Sequence, residues 1–473
     1  MSRENHRRIK TSLSIVVGIV LLFSTAISAG SAFSIQSSPD SKASTPIRHI
    51  VIIMQENHAF DNFFGTYPGL SPPYALNMTE CDPLNLTQAD SPCIKPFNAD
   101  NDSAQIQGND LIHNWNASHV AYNNGSMNGF VYAQLLDHQE DPQDAMAYYT
   151  NATIPNYWDY ASYYSLDANF FSSELSYSYP NHLFLVAAQS GGCAQCSPSF
   201  SLKFGTILSE LDKAKLAWRS YAGDWNTNYD CTKVTKGDFS SLSQVFWNVV
   251  PDFPAVELNP SECSNIQNLN DLFSNLTKGY LPSVAFVTPY DNVSDHPSES
   301  TLAASQLYIT KIINAISSNA TLWKSTAIFI TWDEFGGYSD QVVPDQVDAL
   351  GYGFRVPLLV ISPYTVRGAI YYGEAGVQED FSSLLTTIEQ NWHLGHLTNR
   401  DKSEYSLFYM LNFSESPRPP LILPSNILAT FPLSDCTLCK VGFGLWPVSV
   451  SDPPSYSIPS YYNLADENSS NAS

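Results

Sequence analysis

The feature that most constrains the fold is a set of short, continuously apolar runs, of which Ile50–Met54 is the first. A strand with one face in water alternates apolar and polar residues, whereas a strand covered on both faces is apolar throughout. Similar runs recur at 215–221, 284–288, 327–331 and 357–362. The sequence therefore predicts mostly parallel strands buried in the middle of the domain.

Helical patterns lie beside these runs. Apolar residues recur at helical spacing over 301–316, and a second pattern covers Phe381–Trp392, with Asp380 as its N-cap. Strands that alternate with helices indicate an α/β domain with a mostly parallel sheet flanked by helices. Two polar stretches, 66–160 and 223–280, are predicted to be long loop insertions.

The N-terminus has the pattern of a secretory signal. Basic residues within positions 3–10 precede an apolar run at 12–27, and small residues follow it. The alternative is a retained membrane anchor, for which the apolar run is short. The predicted organisation is a signal peptide or N-terminal anchor over 1–32, a linker over 33–46, a folded domain over 47–413 and a Pro/Ser/Tyr-rich C-terminal extension over 414–473.

The cysteines agree with export to the outside of the cell. Their number is eight, and an even number in an exported chain favours disulfides. The spacing suggests local pairs such as Cys81–Cys93 and Cys231–Cys263. Two Cys-x-x-Cys pairs, at 193/196 and 436/439, leave a zinc site as the lesser alternative. Frequent Asn-x-Ser/Thr sequons predict glycosylation of surface loops.

The charge balance excludes one class of function and suggests a setting. The chain has 22 Lys and Arg against 45 Asp and Glu, a net charge of −23, and only 14% charged residues. A nucleic-acid binder needs a basic surface, so nucleic acid is excluded as a general partner. In acid, carboxylates lose their charge, and few basic residues then limit self-repulsion. For an exported chain this balance suits acidic surroundings, which the surplus of acidic residues does not show by itself.

Polar residues follow three of the predicted strands at the point where each strand ends. Glu56 and Asn57 follow the first strand, Asp295 and His296 come shortly after the 284–288 run, and Asp333 follows the 327–331 run. Ligands bind at the carboxyl ends of strands in open α/β sheets. Carboxylate and amide oxygens at one edge are suitable ligands for a divalent cation.

The segment Arg48–Gly69 closely resembles the opening motif of the phosphoesterase family that contains bacterial phospholipases C and respiratory-burst-inhibiting acid phosphatases. Further blocks resemble the family in the same order: Asp110–Trp115, Ser178–Leu183, Asp295–Pro297, Trp332–Gly337 and Gly351–Tyr364. The resemblance covers about residues 47–395. It implies an alkaline-phosphatase-like fold and identifies the predicted domain as a phosphoesterase domain.

The resemblance also implies roles for individual residues. The implied metal ligands are Glu56, Asn57, Asp333 and Glu334, for one or more divalent ions whose identity stays open among Ca, Mg, Mn, Zn and Fe. Ser178 matches the hydroxyl nucleophile, a position where phospholipases C carry Thr, and Asn181 matches a phosphate-binding amide. His113 and His296 match histidines that contact phosphate or protonate the leaving group.

The sequence departs from the family pattern at two places. Family members often have His or Gly where Phe335 stands, and often Asp-His where this chain has Asp340-Gln341. A missing histidine would alter protonation of the leaving group or affinity for the metal. These three residues are therefore left out of the predicted site.

The preferred function is an exported, metal-dependent acid phosphatase that hydrolyses phosphate monoesters through a phosphoserine intermediate. Its predicted location is the outside of the cell, either secreted or on the cell surface. A phospholipase C that removes phospholipid headgroups is the alternative, and a non-catalytic surface glycoprotein is a third. No long basic amphipathic helix is evident, so membrane association is expected only through the N-terminal segment or a lipid substrate.

Overall fold

The computed structural model describes residues 43–81, 93–196, 202–223, 225, 231 and 247–425. Its strands are β1 His49–Gln55, β2 Glu80–Cys81, β3 Cys93–Ile94, β4 Phe97–Asn98, β5 Ala147–Tyr148, β6 Ser165–Asp167, β7 Trp218–Ala222, β8 Ile266–Asn268, β9 Val284–Thr288, β10 Thr326–Trp332, β11 Leu358–Ile361 and β12 Ala369–Tyr371. The predicted signal or anchor segment lies outside the described residues, as does most of the C-terminal extension.

The helices follow in the same order along the chain. They are α1 Phe60–Phe64, α2 Ser103–Ile106, α3 Trp115–Tyr122, α4 Phe130–Leu136, α5 Pro155–Tyr163, α6 Ser178–Ala187, α7 Ile207–Lys213, α8 Pro254–Glu257, α9 Pro260–Cys263, α10 Leu269–Thr277, α11 Leu302–Ser317, α12 Ala320–Trp323, α13 Phe381–Trp392 and α14 Asn399–Ser403. Short 3-10 turns lie at Asn123–Gly125, Pro142–Met146, Val250–Asp252, Asp291–Val293, Glu374–Gly376 and Leu407–Met410. None of the described helices has the length and apolar composition needed to cross a bilayer.

Eight strands form one sheet in the order β12-β6-β11-β10-β1-β9-β7-β8. Strand β1 lies at its centre, parallel to β10 on one side and to β9 on the other. The residues of its apolar run are almost completely buried, because helices cover both faces. The predicted α/β class with a mostly parallel sheet is confirmed.

Several details differ from the prediction. The 357–362 run forms β11, which is antiparallel to β10, and apolar content alone does not encode strand direction. The predicted insertion 223–280 contributes β8, which extends the main sheet beside β7. Strands β6 and β12, at the opposite edge, have no counterpart among the predicted runs. Strands β6, β8 and β12, at or next to the edges of the sheet, have only three residues each, too few for a recognisable pattern.

The predicted disulfides Cys81–Cys93 and Cys231–Cys263 are both present, and Cys193 pairs with Cys196. The fourth candidate pair, at 436/439, lies outside the described residues. The three described Cys pairs are therefore disulfides, and the zinc alternative does not apply to them.

The start of the predicted C-terminal extension packs against the domain. Arg418 donates to the carbonyl of Thr365 at 2.7 Å, and its own carbonyl accepts from the indole of Trp323. The amide of Asn314 donates to the carbonyl of Leu423 at 2.8 Å. Residues up to this point are therefore held by specific contacts with the phosphoesterase-like domain.

The N-cap of α11 allows a simple test of the fold. The hydroxyl of Thr301 accepts a hydrogen bond from the backbone N–H of Ala304. We expect Thr301→Ala to lower the free energy of unfolding by about 1 kcal/mol, because one N–H of the first turn loses its acceptor. Thr301→Ser should retain wild-type stability. Chemical denaturation measures both values, and equal stability of the two variants would contradict the capping role.

Candidate active site

The candidate site lies where β1 and β10 end. Their parallel register places Gln55 opposite Trp332, so the residues that follow, Glu56 and Asp333, leave the sheet side by side. The N–H of Asp333 donates to the carbonyl of Gln55 at 3.0 Å, and the Asp333 carboxylate accepts from the N–H of Asn57 at 2.8 Å. The strand register thus brings these predicted ligands together.

A buried cluster of Glu56, His182 and Asp333 forms the floor of the site. The Nε2 atom of His182 lies 3.0 Å from Glu56 Oε1 and 3.9 Å from Asp333 Oδ2. Potential ligand atoms of the three residues lie within 4.8 Å of one another. Glu334, the next residue, accepts from the N–H of Gly336 at 2.9 Å.

Three oxygens in this region are buried without a hydrogen-bond partner: Glu56 Oε2, Asp333 Oδ2 and Glu334 Oε1. Burial raises the pKa of Glu56 and of Glu334 well above the ordinary carboxyl value, and the neighbouring Asp333 raises both further. Burial also lowers the pKa of His182 to about 4. Buried carboxylates of like charge need a positive partner, so this donor set fits a divalent cation.

Asn57 connects the acidic floor to the other predicted residues. Its Oδ1 lies 3.5 Å from the hydroxyl of Ser178, and its Nδ2 lies 3.3 Å from Nε2 of His113. Its backbone is left-handed, with φ 64°. A side chain at Gly336, which also has positive φ, would overlap the Asn57 carbonyl. Gly336 is therefore needed for close approach as well as for its turn.

Ser178 is the first residue of α6, a helix that is buried along its length. The first N–H groups of a helix have no acceptor within the helix, and together with the helix dipole they favour negative charge at this position. His182 follows four residues later, one turn along the helix, and so lies on the same side as Ser178. This spacing is the signal in the sequence that could have assigned His182 to the site rather than to packing.

The Asn181 side chain has several partners in the loop that precedes α6. Its Oδ1 accepts from the N–H groups of Ser173 and Glu174 at 2.8 and 3.1 Å. Its Nδ2 lies 3.1 Å from the carbonyl of Tyr177, with two longer contacts nearby. These bonds fix the backbone in front of Ser178, while the predicted contact of Asn181 with phosphate stays a prediction.

The two predicted histidines stand beside one another, with ring centres 6.0 Å apart. Nδ1 of His113 lies 2.6 Å from the carbonyl of Leu111, and Nδ1 of His296 lies 2.7 Å from the carbonyl of Pro297. A carbonyl only accepts, so Nδ1 carries the hydrogen in both rings. The Nε2 atoms are therefore the ones that can exchange protons, and that of His113 accepts a hydrogen bond from the amide of Asn57.

Two residues that support His296 were not assigned from the sequence. The indole of Trp247 stacks on the His296 ring with centres 5.2 Å apart. The buried carboxylate of Asp295 accepts from Tyr157 at 2.8 Å, and it also accepts from Gln55 and Trp332. Asp295 thus anchors the loop that carries His296.

The residues that depart from the family pattern have structural partners. Phe335 packs against Phe354, with ring centres 4.5 Å apart. Asp340 pairs with the buried guanidinium of Arg355 at 3.0 Å, and Asp61 pairs with the same guanidinium at 2.7 Å. Their exclusion from the predicted site agrees with these contacts.

Comparison with known proteins gives the context of this site. The model of the Phosphoesterase family matches residues 47–395. Phospholipase C B of Mycobacterium tuberculosis is 26% identical over 426 residues, covering 79% of each chain. Non-specific phospholipase C1 of Arabidopsis thaliana is 26% identical over 437 residues, covering 85% of this chain and 78% of its own.

Similar solved structures include the phosphonate monoester hydrolase of Agrobacterium radiobacter, with a TM-score of 0.40, 9% identity and 77% of each chain covered. The lipoteichoic acid synthase LtaP from Listeria monocytogenes has a TM-score of 0.38 and 8% identity, with 81% of this chain and 79% of its own covered. These overlaps are too low to carry a functional inference. The family match, which extends over most of the chain, makes this protein a member of the Phosphoesterase family and a phosphoric ester hydrolase.

Proposed function

We propose that the protein is an exported, metal-dependent acid phosphatase that hydrolyses phosphate monoesters with Ser178 as nucleophile. The observation that carries this proposal is the contact of the Ser178 hydroxyl with Asn57, next to the buried carboxylates of Glu56 and Asp333. A nucleophilic hydroxyl beside an oxygen-rich cation site is the arrangement that phosphoryl transfer requires.

Glu56, Asn57, Asp333 and Glu334 would hold the metal, with His182 against two of the carboxylates. Their unpartnered oxygens favour this assignment. The cation supplies positive charge that lowers the pKa of a bound hydroxyl and neutralises phosphoryl oxygens. The composition of the site does not select among Ca, Mg, Mn, Zn and Fe.

The chain itself orients the nucleophile. The Ser178 hydroxyl donates a hydrogen bond to Asn57 Oδ1, and the N-terminus of α6 stabilises negative charge on the serine oxygen and on a phosphoryl group near it. Attack of Ser178 Oγ on phosphorus forms the Oγ–P bond as the bond to the leaving oxygen breaks, the hydroxyl proton passes to solvent water, and the leaving oxygen takes a proton from a histidine. Water then hydrolyses the phosphoserine, releasing phosphate and restoring the hydroxyl.

His113 and His296 would move protons at the opposite side of the reacting phosphoryl group. Their Nδ1–H groups are held by backbone carbonyls, so a second proton would reside on Nε2. From Nε2 it can be donated to the leaving oxygen.

Phospholipase C activity is the second candidate, and the names of the relatives favour it. Hydrolysis of a phospholipid would use the same nucleophile and cation. The net charge of −23 opposes docking on an anionic lipid surface at neutral pH. This charge, together with Ser at the nucleophile position, favours the phosphatase.

The two candidates can be separated by assaying purified protein on 4-nitrophenyl phosphate and on phosphatidylcholine vesicles between pH 3 and 9. We expect faster turnover of the monoester, with an acidic optimum. Chelator should remove at least about 99% of the activity, since a cation contributes several kcal/mol to the transition state. Added divalent metal should restore it, and a mock-dialysed sample serves as control.

Hydrolysis of phosphatidylcholine with little monoester turnover would instead favour the phospholipase. Turnover of neither substrate at any metal composition would contradict both candidates and favour the glycoprotein. Full activity after exhaustive chelation would contradict the metal requirement.

A further inference from the structure

A second group of metal-ligating side chains lies between the end of α13 and the start of α14. It consists of Glu389, His396 and Asp401, whose potential ligand atoms lie within 4.8 Å of one another. Nδ1 of His396 is 2.7 Å from Glu389 Oε2. Neither the family resemblance nor the catalytic chemistry involves these residues.

The position of Glu389 is unusual for a carboxylate. The residue is 1% exposed, and its Oε1 atom has no hydrogen-bond partner. Its acidic neighbours are Glu210 and Asp401, and the Asp401 carboxyl is close enough for a hydrogen bond when one of the two carries a proton. A buried carboxylate with an unsatisfied oxygen is costly unless a proton or a cation compensates it.

Nearby basic side chains do not supply that compensation. Lys213 pairs with Glu210 at 2.7 Å, and Arg400 pairs with Asp348 and Asp380. Within the described part of the chain, Glu389 and Asp401 have no Lys or Arg within ion-pair distance. The imidazole of His396, which is 42% exposed, is the basic group that contacts Glu389.

The group opens onto a cavity of about 810 Å³. Glu389 and His396 line it, together with Ser44, Thr45 and Thr386. Such a cavity gives an ion a path of entry and leaves room for water to complete its coordination.

We propose that Glu389, His396 and Asp401 form a second divalent-metal site, suited to Zn²⁺. Zinc binds imidazole nitrogen and carboxylate oxygen at about 2.0–2.2 Å, commonly with three protein ligands and one water. Calcium and magnesium prefer sites built from oxygen alone, so the histidine disfavours them. Asp401 already accepts from the N–H of Thr398 and of Leu397, which fixes the orientation of its carboxylate.

This site is separate from the catalytic centre. Residues 44 and 45, beside the cavity, hydrogen-bond to Gln390 and Asn391 and precede the start of β1. The catalytic residues follow the other end of this seven-residue strand. Seven residues of strand span about 23 Å, so the two sites lie at opposite ends of β1.

The test measures bound zinc in wild type and in His396→Ala after loading with Zn²⁺ at pH 7 and desalting. His396 is partly exposed, so its truncation should leave the fold intact. We expect the variant to lose one zinc per chain and to keep its phosphoesterase activity. The control is His393→Asn, which alters a neighbouring exposed histidine and suits its left-handed backbone, φ 56°.

A second measurement excludes zinc that is bound at the catalytic cation site. In a Glu56→Gln, Asp333→Asn background, Zn²⁺ should still bind, and adding His396→Ala should weaken this binding at least about tenfold. Isothermal titration calorimetry gives both affinities whether or not the enzyme is active. Equal zinc content and affinity with and without His396 would overturn the proposal. Loss of both zinc and phosphoesterase activity in His396→Ala would overturn the proposal that the second site is independent of the catalytic centre.

Discussion

Ser178→Ala is expected to reduce phosphoesterase turnover by a factor of about 10³ or more, because no other group takes the place of a lost nucleophile. The Ser178 hydroxyl is the one that contacts Asn57 beside the acidic floor. Steady-state rates on a monoester measure this loss. Acid quenching followed by mass spectrometry of the peptide should detect a phosphate on Ser178 in wild type.

Ser176→Ala is the matched control. Ser176 lies two residues before Ser178, in the loop that leads into α6, and is also buried, but its hydroxyl donates to the carbonyl of Ala194 at 2.7 Å. We expect this variant to keep activity within about tenfold, since only a structural hydrogen bond of about 1 kcal/mol is lost. Turnover by Ser178→Ala at a rate similar to that of the control would remove Ser178 as the nucleophile.

The second large effect concerns pH. We expect the buried glutamates Glu174 and Glu379 to stabilise the folded protein more at pH 4 than at pH 8. Burial raises the pKa of Glu174 to about 8. Burial likewise raises the pKa of Glu379, and the nearby Asp167 raises it further. In the unfolded chain these glutamates titrate near 4.3.

The sign of the effect follows from where the protons reside. Between about pH 4.3 and the folded pKa, the folded state retains protons that the unfolded state has released. The free energy of unfolding therefore decreases as the pH rises through this window. The stabilising contribution is complete below the unfolded pKa and is lost above the folded one.

Hydrogen-bond geometry supports the same conclusion. The Tyr409 hydroxyl lies 2.6 Å from Asp167 Oδ2 and 2.7 Å from Glu379 Oε2. A hydroxyl donates only one hydrogen, so both contacts are favourable only when one carboxyl is protonated. Removal of that proton leaves two buried negative charges side by side, which is unfavourable.

Thermal unfolding at pH 4, 6 and 8 measures the effect. We expect the two glutamates to lower the midpoint by about 5 °C or more between pH 4 and pH 8, corresponding to several kcal/mol, whereas the buried His182, whose pKa is lowered, acts in the opposite direction. Glu379→Gln, which cannot ionise, should weaken the pH dependence, whereas Glu415→Gln, at an exposed position, should not. A midpoint whose pH dependence is the same in wild type and in Glu379→Gln would contradict the contribution argued for this glutamate.

The sequence encoded the centre of the fold well. The apolar run Ile50–Met54 lies within β1, the 284–288 run matches β9, and the pattern over Phe381–Trp392 matches α13 with Asp380 as its N-cap. These elements are long or buried on both faces, so their composition is distinctive. The three-residue edge strands are defined by pairing with neighbours, which local sequence does not reveal.

In the candidate site, too, some residues could be assigned from the sequence and others only from the structure. Glu56 and Asp333 could be assigned from their place after buried strands, because parallel strands end at one edge. The involvement of His182 became evident only once α6 was placed beside that edge. The bonding of the Asn181 amide to the preceding loop could not be predicted either, because its partners are backbone groups whose positions depend on the folded loop.

The sequence by itself determined the family, the α/β class and the chemical types of the proposed site residues, because these depend on local composition and long motifs. Only the tertiary structure decided which oxygens are left unpartnered, which carboxyls are buried together and where a second metal site can form. Those properties arise from distances between residues far apart in the chain, such as Glu56 and His182. They depend on packing and on the loss of water around each charge, and no local pattern encodes them.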